Sequence, residues 1–284
     1  MKIRETILVG AIFLFIISCT PVRQSYTHPE GPRYMGQFVE VTPEFDGQFK
    51  VVTYNIKLGK KLEQAIDELR QEGGLRDADV IFLQEMDPDG VYEMAKRLQY
   101  DYIYYPAALH STHEKGFGNA VLSKWPIKEF QKVVLPHEHP IRKMFRIAVF
   151  ALLAVGETEV LTCSVHTELY IIGHESKMDQ VDEVVQNIGD SFDHVIIGGD
   201  FNTDTVYSVL GTERIFRKAG FERANKGLGY TSRGDPIGIL KWDFDHIYVK
   251  GFKVLDAGKY EEARASDHLP VWTLLEFNSS ENFN

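Results

Sequence analysis

Four apolar, strand-like runs in this chain stop at a polar side chain that a strand by itself does not need. Val51-Val52-Thr53-Tyr54 is followed by Asn55, and Val80-Ile81-Phe82-Leu83-Gln84 by Glu85. Leu161-Thr162-Cys163-Ser164-Val165 is followed by His166, and Val195-Ile196-Ile197-Gly198-Gly199 by Asp200. Strand ends hold side chains rigidly, so the repeated pattern predicts polar groups gathered at one rim of a sheet scaffold. Gly198 and Gly199 are expected to leave room there for substrate and neighbouring loops.

Further runs fill in the scaffold. Tyr100 to Tyr105 reads as a strand, and Gly118 to Ser123 as another that ends at Trp125-Pro126. Ile147 to Val155 and Glu159 to Val165 flank Gly156-Glu157, a hairpin signal. Phe244 to Val249 and Val271 to Phe277 close the series. Leu62, Ala65, Ile66 and Leu69 recur at helical spacing, as do Met178, Val181, Val185 and Ile188, and a third helix is expected from Thr205 to Gly220. About ten strands with few helices, and hairpins mixed with strand–helix–strand units, predict mixed sheets with helices outside them, an α+β class.

The first residues are expected to lie outside this fold. Lys2 and Arg4 precede an apolar run from Ile7 to Ile17, which is short for a bilayer span and suits a signal-peptide core. The run ends at Ser18-Cys19 and resembles a bacterial lipoprotein cleavage site. That resemblance implies a signal peptide at 1–18 and a lipid on Cys19, and hence a membrane-anchored cell-envelope protein. Thr20, not Asp, follows Cys19, which in a diderm host points to the outer membrane or cell surface. Residues 19–45 are rich in Pro, Gly, Thr and polar residues without a period and are expected to be a lipidated tether. Residues 46–278 then form one domain, with a polar tail at 279–284. A chain of 284 residues that is 44% hydrophobic can bury such a core. The remaining cysteine, Cys163, has no intrachain partner for a disulfide and reads as a buried apolar side chain.

Charge narrows the partners. The chain carries a net charge of −10. Such a surface repels long polyanions and opposes a dedicated DNA-binding protein without excluding a nuclease.

Asp245-His246 and Ser266-Asp267-His268 join the four strand ends. Asn55, Glu85, Asp200, Asn202 and Asp267 are oxygen donors, which suit Mg²⁺ or Mn²⁺, whereas zinc favours His and Cys. His166 and His268 can donate to an anionic oxygen. A hard cation with such donors is equipment for phosphoryl chemistry. Each piece also has a plainer role. Asp200 and Asn202 could cap a following helix, Glu85 could face solvent, and Asp267-His268 could open a turn. His137, His139, His110 and His113 lie in polar loops and are expected to be solvated. Arg142, Lys143 and Arg146 suit either substrate phosphate or the surface. Tyr102, Tyr104 and Tyr105 are expected to pack the sheet.

Taken in order, TYNI, FLQE, GNAVLSKWPI, SVHTE, GGDFN, DHIYV and SDHLPV resemble the endonuclease/exonuclease/phosphatase superfamily, from about residue 49 to residue 277. The resemblance implies a four-layer α/β/β/α sandwich of two mixed β-sheets and Mg²⁺-dependent hydrolysis of a phosphate ester, with Mn²⁺ as a substitute. It implies Glu85, Asn55 and Asp267 at the metal. It implies Asp200 as the base, with Asn202, His166 and an Asp245-oriented His268 about the phosphate. Asn119 and Arg146 would support substrate. Two departures stand out: His166 is followed by Thr-Glu where Leu often follows, and WDFDHIYV lacks a basic residue before its Asp. A membrane-tethered phosphodiesterase or phosphatase acting as a monomer on lipid or small phosphate esters is expected. A DNase I-like nuclease is the alternative, and a catalytically silent binding protein the third.

Overall fold

The computed structural model describes residues 21–111, 114–189, 191–233 and 241–278. The leader at 1–18, Cys19, His113 and the tail at 279–284 lie outside the described residues. The elements are, in chain order, β1 (Gln24–Ser25), β2 (Tyr34–Gly36), β3 (Gln48–Asn55), α1 (Leu62–Gln71), β4 (Val80–Met86), α2 (Pro88–Leu98), β5 (Asp101–Leu109), β6 (Gly116–Ser123), β7 (Ile127–Val134), β8 (Ile147–Val155), β9 (Thr158–His166), α3 (His174–Gln186), β10 (Val195–Asp200), α4 (Val206–Lys218), β11 (Glu222–Arg223), β12 (Asp245–Lys250), β13 (Phe252–Lys259) and β14 (Val271–Phe277).

Successive strand side chains point to opposite faces, and here both faces are covered. Val51, Phe82, Val149 and Ile196 enter a core between two sheets. Their neighbours Val52, Ile81 and Leu83 pack instead against Ile66 and Leu69 of α1 and Val91 and Met94 of α2. On the other side, Phe150, Val195 and Ile197 pack against Val181 and Val184 of α3 and Phe216 of α4. Three cores between four layers make an α/β/β/α sandwich, which accounts for strands that read apolar throughout. One sheet has eight strands, ordered β1-β5-β6-β4-β3-β14-β13 with β2 also on β5, and the other six, ordered β11-β12-β10-β9-β8-β7. Only β3–β4 and β9–β10 are parallel pairs among them. Because β12 and β14 run antiparallel to β10 and β3, they begin at the rim where β3, β4, β9 and β10 end.

Two expectations change, and one helix is added. Residues 21–45 are not a free tether. β1 and β2 pair with β5, and the Lys132 ammonium holds the Tyr26 and Gly31 carbonyls at 3.1 Å. The two glycines serve packing, not substrate entry: a Cβ on Gly198 would stand 2.5 Å from the Phe82 ring, and one on Gly199 would meet the Val165 backbone. The helix α2, absent from the sequence reading, begins with Pro-Asp-Gly. Pro88 opens it, and Asp87 caps it by accepting from the Gly90 N–H at 3.0 Å.

Candidate active site

The sheet register assembles the site. Asp200 is the direct neighbour of His166 on β9 and of Asp245 on β12, so three ends of one sheet stand side by side. The other sheet brings Asn55 and Glu85 to the same rim. A bulge in β4 falls between Leu83 and Met86, and Glu85 takes a left-handed φ of 57°. A non-glycine residue pays for that conformation, and here it turns the carboxylate out of the strand alternation. Asn202 is also left-handed, φ 48°, a conformation Asn tolerates.

Asp200 Oδ2 is the hub. It accepts from Asn55 Nδ2 at 2.9 Å and lies 3.4 Å from His166 Nε2 and 3.7 Å from His268 Nε2. Asp200 Oδ1 accepts the Asn202 N–H at 2.9 Å. Burial foremost, with Asp245 adding and His268 opposing, pushes the Asp200 carboxyl up to about 6.

The two histidines beside this hub have opposite partners. His268 Nδ1 contacts both Asp245 oxygens, at 2.9 and 3.1 Å. Burial alone would lower its pKa, but Asp245 and Asp200 outweigh burial and raise it to about 10. Asp245 is held in turn by the Thr231 hydroxyl at 2.7 Å. His166 Nδ1 lies 3.2 Å from Arg146 Nη1. Guanidinium only donates, so Nδ1 accepts, the ring is neutral, and its Nε2–H points to Asp200. Burial and then Arg146 hold its pKa well below the usual value. Arg146 makes a two-pronged ion pair with Glu168 at 3.0 and 3.1 Å, and both side chains are buried. Burial would raise the Glu168 carboxyl, but Arg146 outweighs it and holds it low. Glu168, two residues after His166, is the counter-ion of this wall.

A cavity of about 280 Å³ opens beside the hub. Asn55, Glu85, Asp267 and His268 supply polar lining, Val22, Leu58, Phe117 and Met144 apolar lining, and Lys57, Lys60, His110 and Arg142 the rest. Burial foremost raises the Glu85 carboxyl, with Arg146 opposing. Among the described residues no protein donor hydrogen-bonds that carboxylate. A cavity-lining carboxylate without a donor, beside an amide and a second carboxylate, fits a hard divalent cation. Asn55 Oδ1 accepts the Lys57 N–H at 3.0 Å, which leaves it one lone pair. Asp267 is paired with Lys57 Nζ at 2.5 Å. Asp200, Asp245 and His268 also bring ligand atoms within 4.8 Å of one another. In that set the Asp245 oxygens already hold His268 Nδ1, and Asp200 Oδ2 accepts from Asn55.

Several residues singled out from sequence are placed elsewhere. Arg146 is 2% exposed and committed to Glu168 and His166, so it does not line the cavity. The Asn119 amide donates to the Ile147 and Ser164 carbonyls and ties the two sheets together. The Asn202 amide donates to the Thr167 carbonyl at 2.9 Å. His139 is buried and accepts from the Ile141 and Arg142 N–H groups, so it shapes a loop. His246 contacts the Thr203 hydroxyl and the Asp243 carbonyl beneath the 201–205 loop. Cys163 is buried in β9, and burial drives its thiol pKa well up. Thr231, Glu168 and Lys57 carried no sequence signal of their role.

An α/β/β/α sandwich with carboxylates, amides and histidines converging at one rim defines a phosphoesterase-type fold. The chain belongs to the endonuclease/exonuclease/phosphatase family, whose model matches residues 52–268. No curated protein matches the sequence. Solved structures share the fold at low identity. One is an endonuclease/exonuclease/phosphatase family protein from Leptotrichia buccalis, 20% identical over 81% of this chain and 100% of that one, with a TM-score of 0.67. Another is a mannosyl-6-phosphatase from Bacteroides thetaiotaomicron, 21% identical over 81% and 100%, TM-score 0.62. A third is D. rerio TDP2 complexed with a single-strand DNA product, 17% identical over 81% and 100%, TM-score 0.64.

Proposed function

We propose that this protein is a divalent-cation-dependent hydrolase of phosphate esters, exported and held at a membrane by a lipid on Cys19. The observation that carries the hydrolase reading is the Asp200 hub, with Asn55, His166 and His268 within 2.9–3.7 Å of one carboxylate oxygen. The membrane part rests on the apolar leader and Ser18-Cys19.

Asp200, with its pKa near 6, is a base suited to neutral pH and takes the proton of the attacking water. The water oxygen bonds to phosphorus, the ester P–O bond breaks, and the leaving oxygen departs with its electron pair. His268, kept charged by Asp245, donates to the phosphoryl oxygens, and neutral His166 donates through its Nε2–H. Glu85, Asn55 and Asp267 would hold Mg²⁺ or Mn²⁺, which when bound offsets the charge growing on the phosphoryl group. Asn202 and Asn55 fix the Asp200 carboxylate from either side.

Hydrolysis of bis-p-nitrophenyl phosphate with Mg²⁺, with and without chelator, tests this. Turnover lost to chelator and to Asp200→Ala is expected, and metal-independent turnover untouched by Asp200→Ala would overturn it. Plasmid DNA, sphingomyelin and inositol phosphates assayed side by side rank the substrates, and rapid plasmid nicking would favour a nuclease.

A further inference from the structure

The chain enters the described structure at the mouth of the cavity. Val22 lines that cavity, and its N–H donates to the Arg142 carbonyl at 2.8 Å. The Arg23 and Tyr26 N–H groups donate to Leu109 and Ala107 at 2.9 and 2.8 Å, and β1 adds to the edge of β5. From Val22 onward the backbone is therefore fastened to the rim. Cys19 precedes Val22 by three residues, which reach at most about 11 Å when extended. That length is comparable to the polar layer on one side of a bilayer, about 5–8 Å.

The surface around Val22 has the chemistry for such a neighbour. Ile141 is 43% exposed beside Arg142 and Lys143, the latter 3.5 Å from Glu138, and the loop is held in shape by His139. Lys60 and the Asp267-paired Lys57 line the same cavity in a chain of net charge −10. An apolar tip flanked by basic side chains suits an anionic lipid surface. The opposite end of the sheets, the β8–β9 turn, carries exposed Glu157, and Glu159 there is paired with Lys128 at 3.0 Å.

We propose that the short link from Cys19 to Val22 holds the cavity mouth against the bilayer, and that its substrates are phosphate esters in lipid headgroups. The proposal rests on the lipidated phosphoesterase reading above and adds an orientation and a substrate class to it. The fixed geometry makes the mouth the face nearest the lipid. Soluble esters then compete with a substrate held at high local concentration in the membrane plane.

The test uses the full chain purified from membranes and reconstituted in phosphatidylcholine–phosphatidylglycerol vesicles carrying a headgroup-linked energy acceptor. A donor dye is placed at Ile141→Cys or Glu157→Cys; Cys163 is buried and stays unlabelled. Nine-residue β9 separates these ends by about 30 Å at ~3.4 Å per residue. Energy transfer several-fold stronger at position 141 is expected. A Gly/Ser insertion of about 20 residues between Thr20 and Pro21, about 25 Å in mean reach, should erase that difference. In vesicles of bacterial polar lipid, the insertion should cut release of headgroup phosphate about tenfold and leave bis-p-nitrophenyl phosphate turnover unchanged. Equal or stronger transfer from position 157 would overturn the orientation. Lipid hydrolysis that is absent, or indifferent to the insertion, would overturn the substrate class. A Cys19 without lipid by mass spectrometry, or no turnover of the soluble diester, would remove the underlying reading and this proposal with it.

Discussion

Two walls face Asp200 at nearly the same distance and hold histidines in opposite states. His268 and His166 place Nε2 at 3.7 and 3.4 Å from Asp200 Oδ2, and both side chains are buried. Burial disfavours imidazolium at each. At His268 two carboxylates reverse it and the ring is charged; at His166 a guanidinium reinforces it and the ring is neutral. The partner at Nδ1, not depth, decides what each histidine can donate. One site thereby presents a cationic donor and a neutral donor around one carboxylate.

Removing the hub should erase the contrast most completely. Asp200→Asn is expected to lower kcat on bis-p-nitrophenyl phosphate about 10³-fold, and to lower the His268 pKa in imidazole NMR because one of its carboxylates is gone. The same residue sets a pH signature. The folded pKa of Asp200, about 6, lies above its usual carboxylate value. Its contribution to stability is therefore full below the unfolded pKa of about 4 and is lost as pH rises through 6. The activity limb runs the other way and rises through about pH 6, or lower with a bound cation. Asp200→Asn should flatten the stability slope in urea titrations across that window.

The neutral wall breaks next. Glu168→Leu strands the buried Arg146 charge and is expected to cost about 3–5 kcal/mol in urea unfolding. The pair Glu168→Leu with Arg146→Met should recover most of that stability. It should not recover kcat, because His166 loses the donor that fixes its tautomer; full recovery would show the pair to be structural only. On the charged wall, Asp245→Asn should drop kcat about 10²-fold and pull the His268 pKa down toward that of an ordinary histidine. Thr231→Val is the smallest change. It removes the hydroxyl's bond to the Asp245 carboxylate and the bonds it accepts from the Asp245 and Phe244 N–H groups, and should cost about 1–3 kcal/mol of stability with a few-fold loss of kcat.

Much of the scaffold was legible because strands covered on both faces read apolar without interruption, and a polar residue at the end of such a run stands out. Less was legible where that signal fails. β7 and β13 are rich in Lys, Glu and Asp because each lies at a sheet edge with solvent on one side. Residues 21–45 have the composition of a linker, and what orders them is backbone pairing with β5, which composition does not encode. α2 was hidden by Pro-Asp-Gly, since the same residues that make a turn also open a helix behind an Asp cap.

The site divides along the same line. Asn55, Glu85, His166, Asp200, Asp245, Asp267 and His268 were legible by type and place, since a strand end dictates where a side chain stands. Their partners were not. Arg146 suits a substrate phosphate by chemistry, yet Glu168 claims it, and Gly198 yields its space to the Phe82 ring rather than to substrate. The sequence by itself determined the layered scaffold and the inventory of acids, amides and imidazoles at its rim, because periodicity and residue type are local properties. Only the tertiary structure decided which histidine is charged, which arginine is spoken for, and that Val22 borders the cavity. Those outcomes depend on contacts between residues 20 to 145 positions apart, and local pattern carries no record of such contacts.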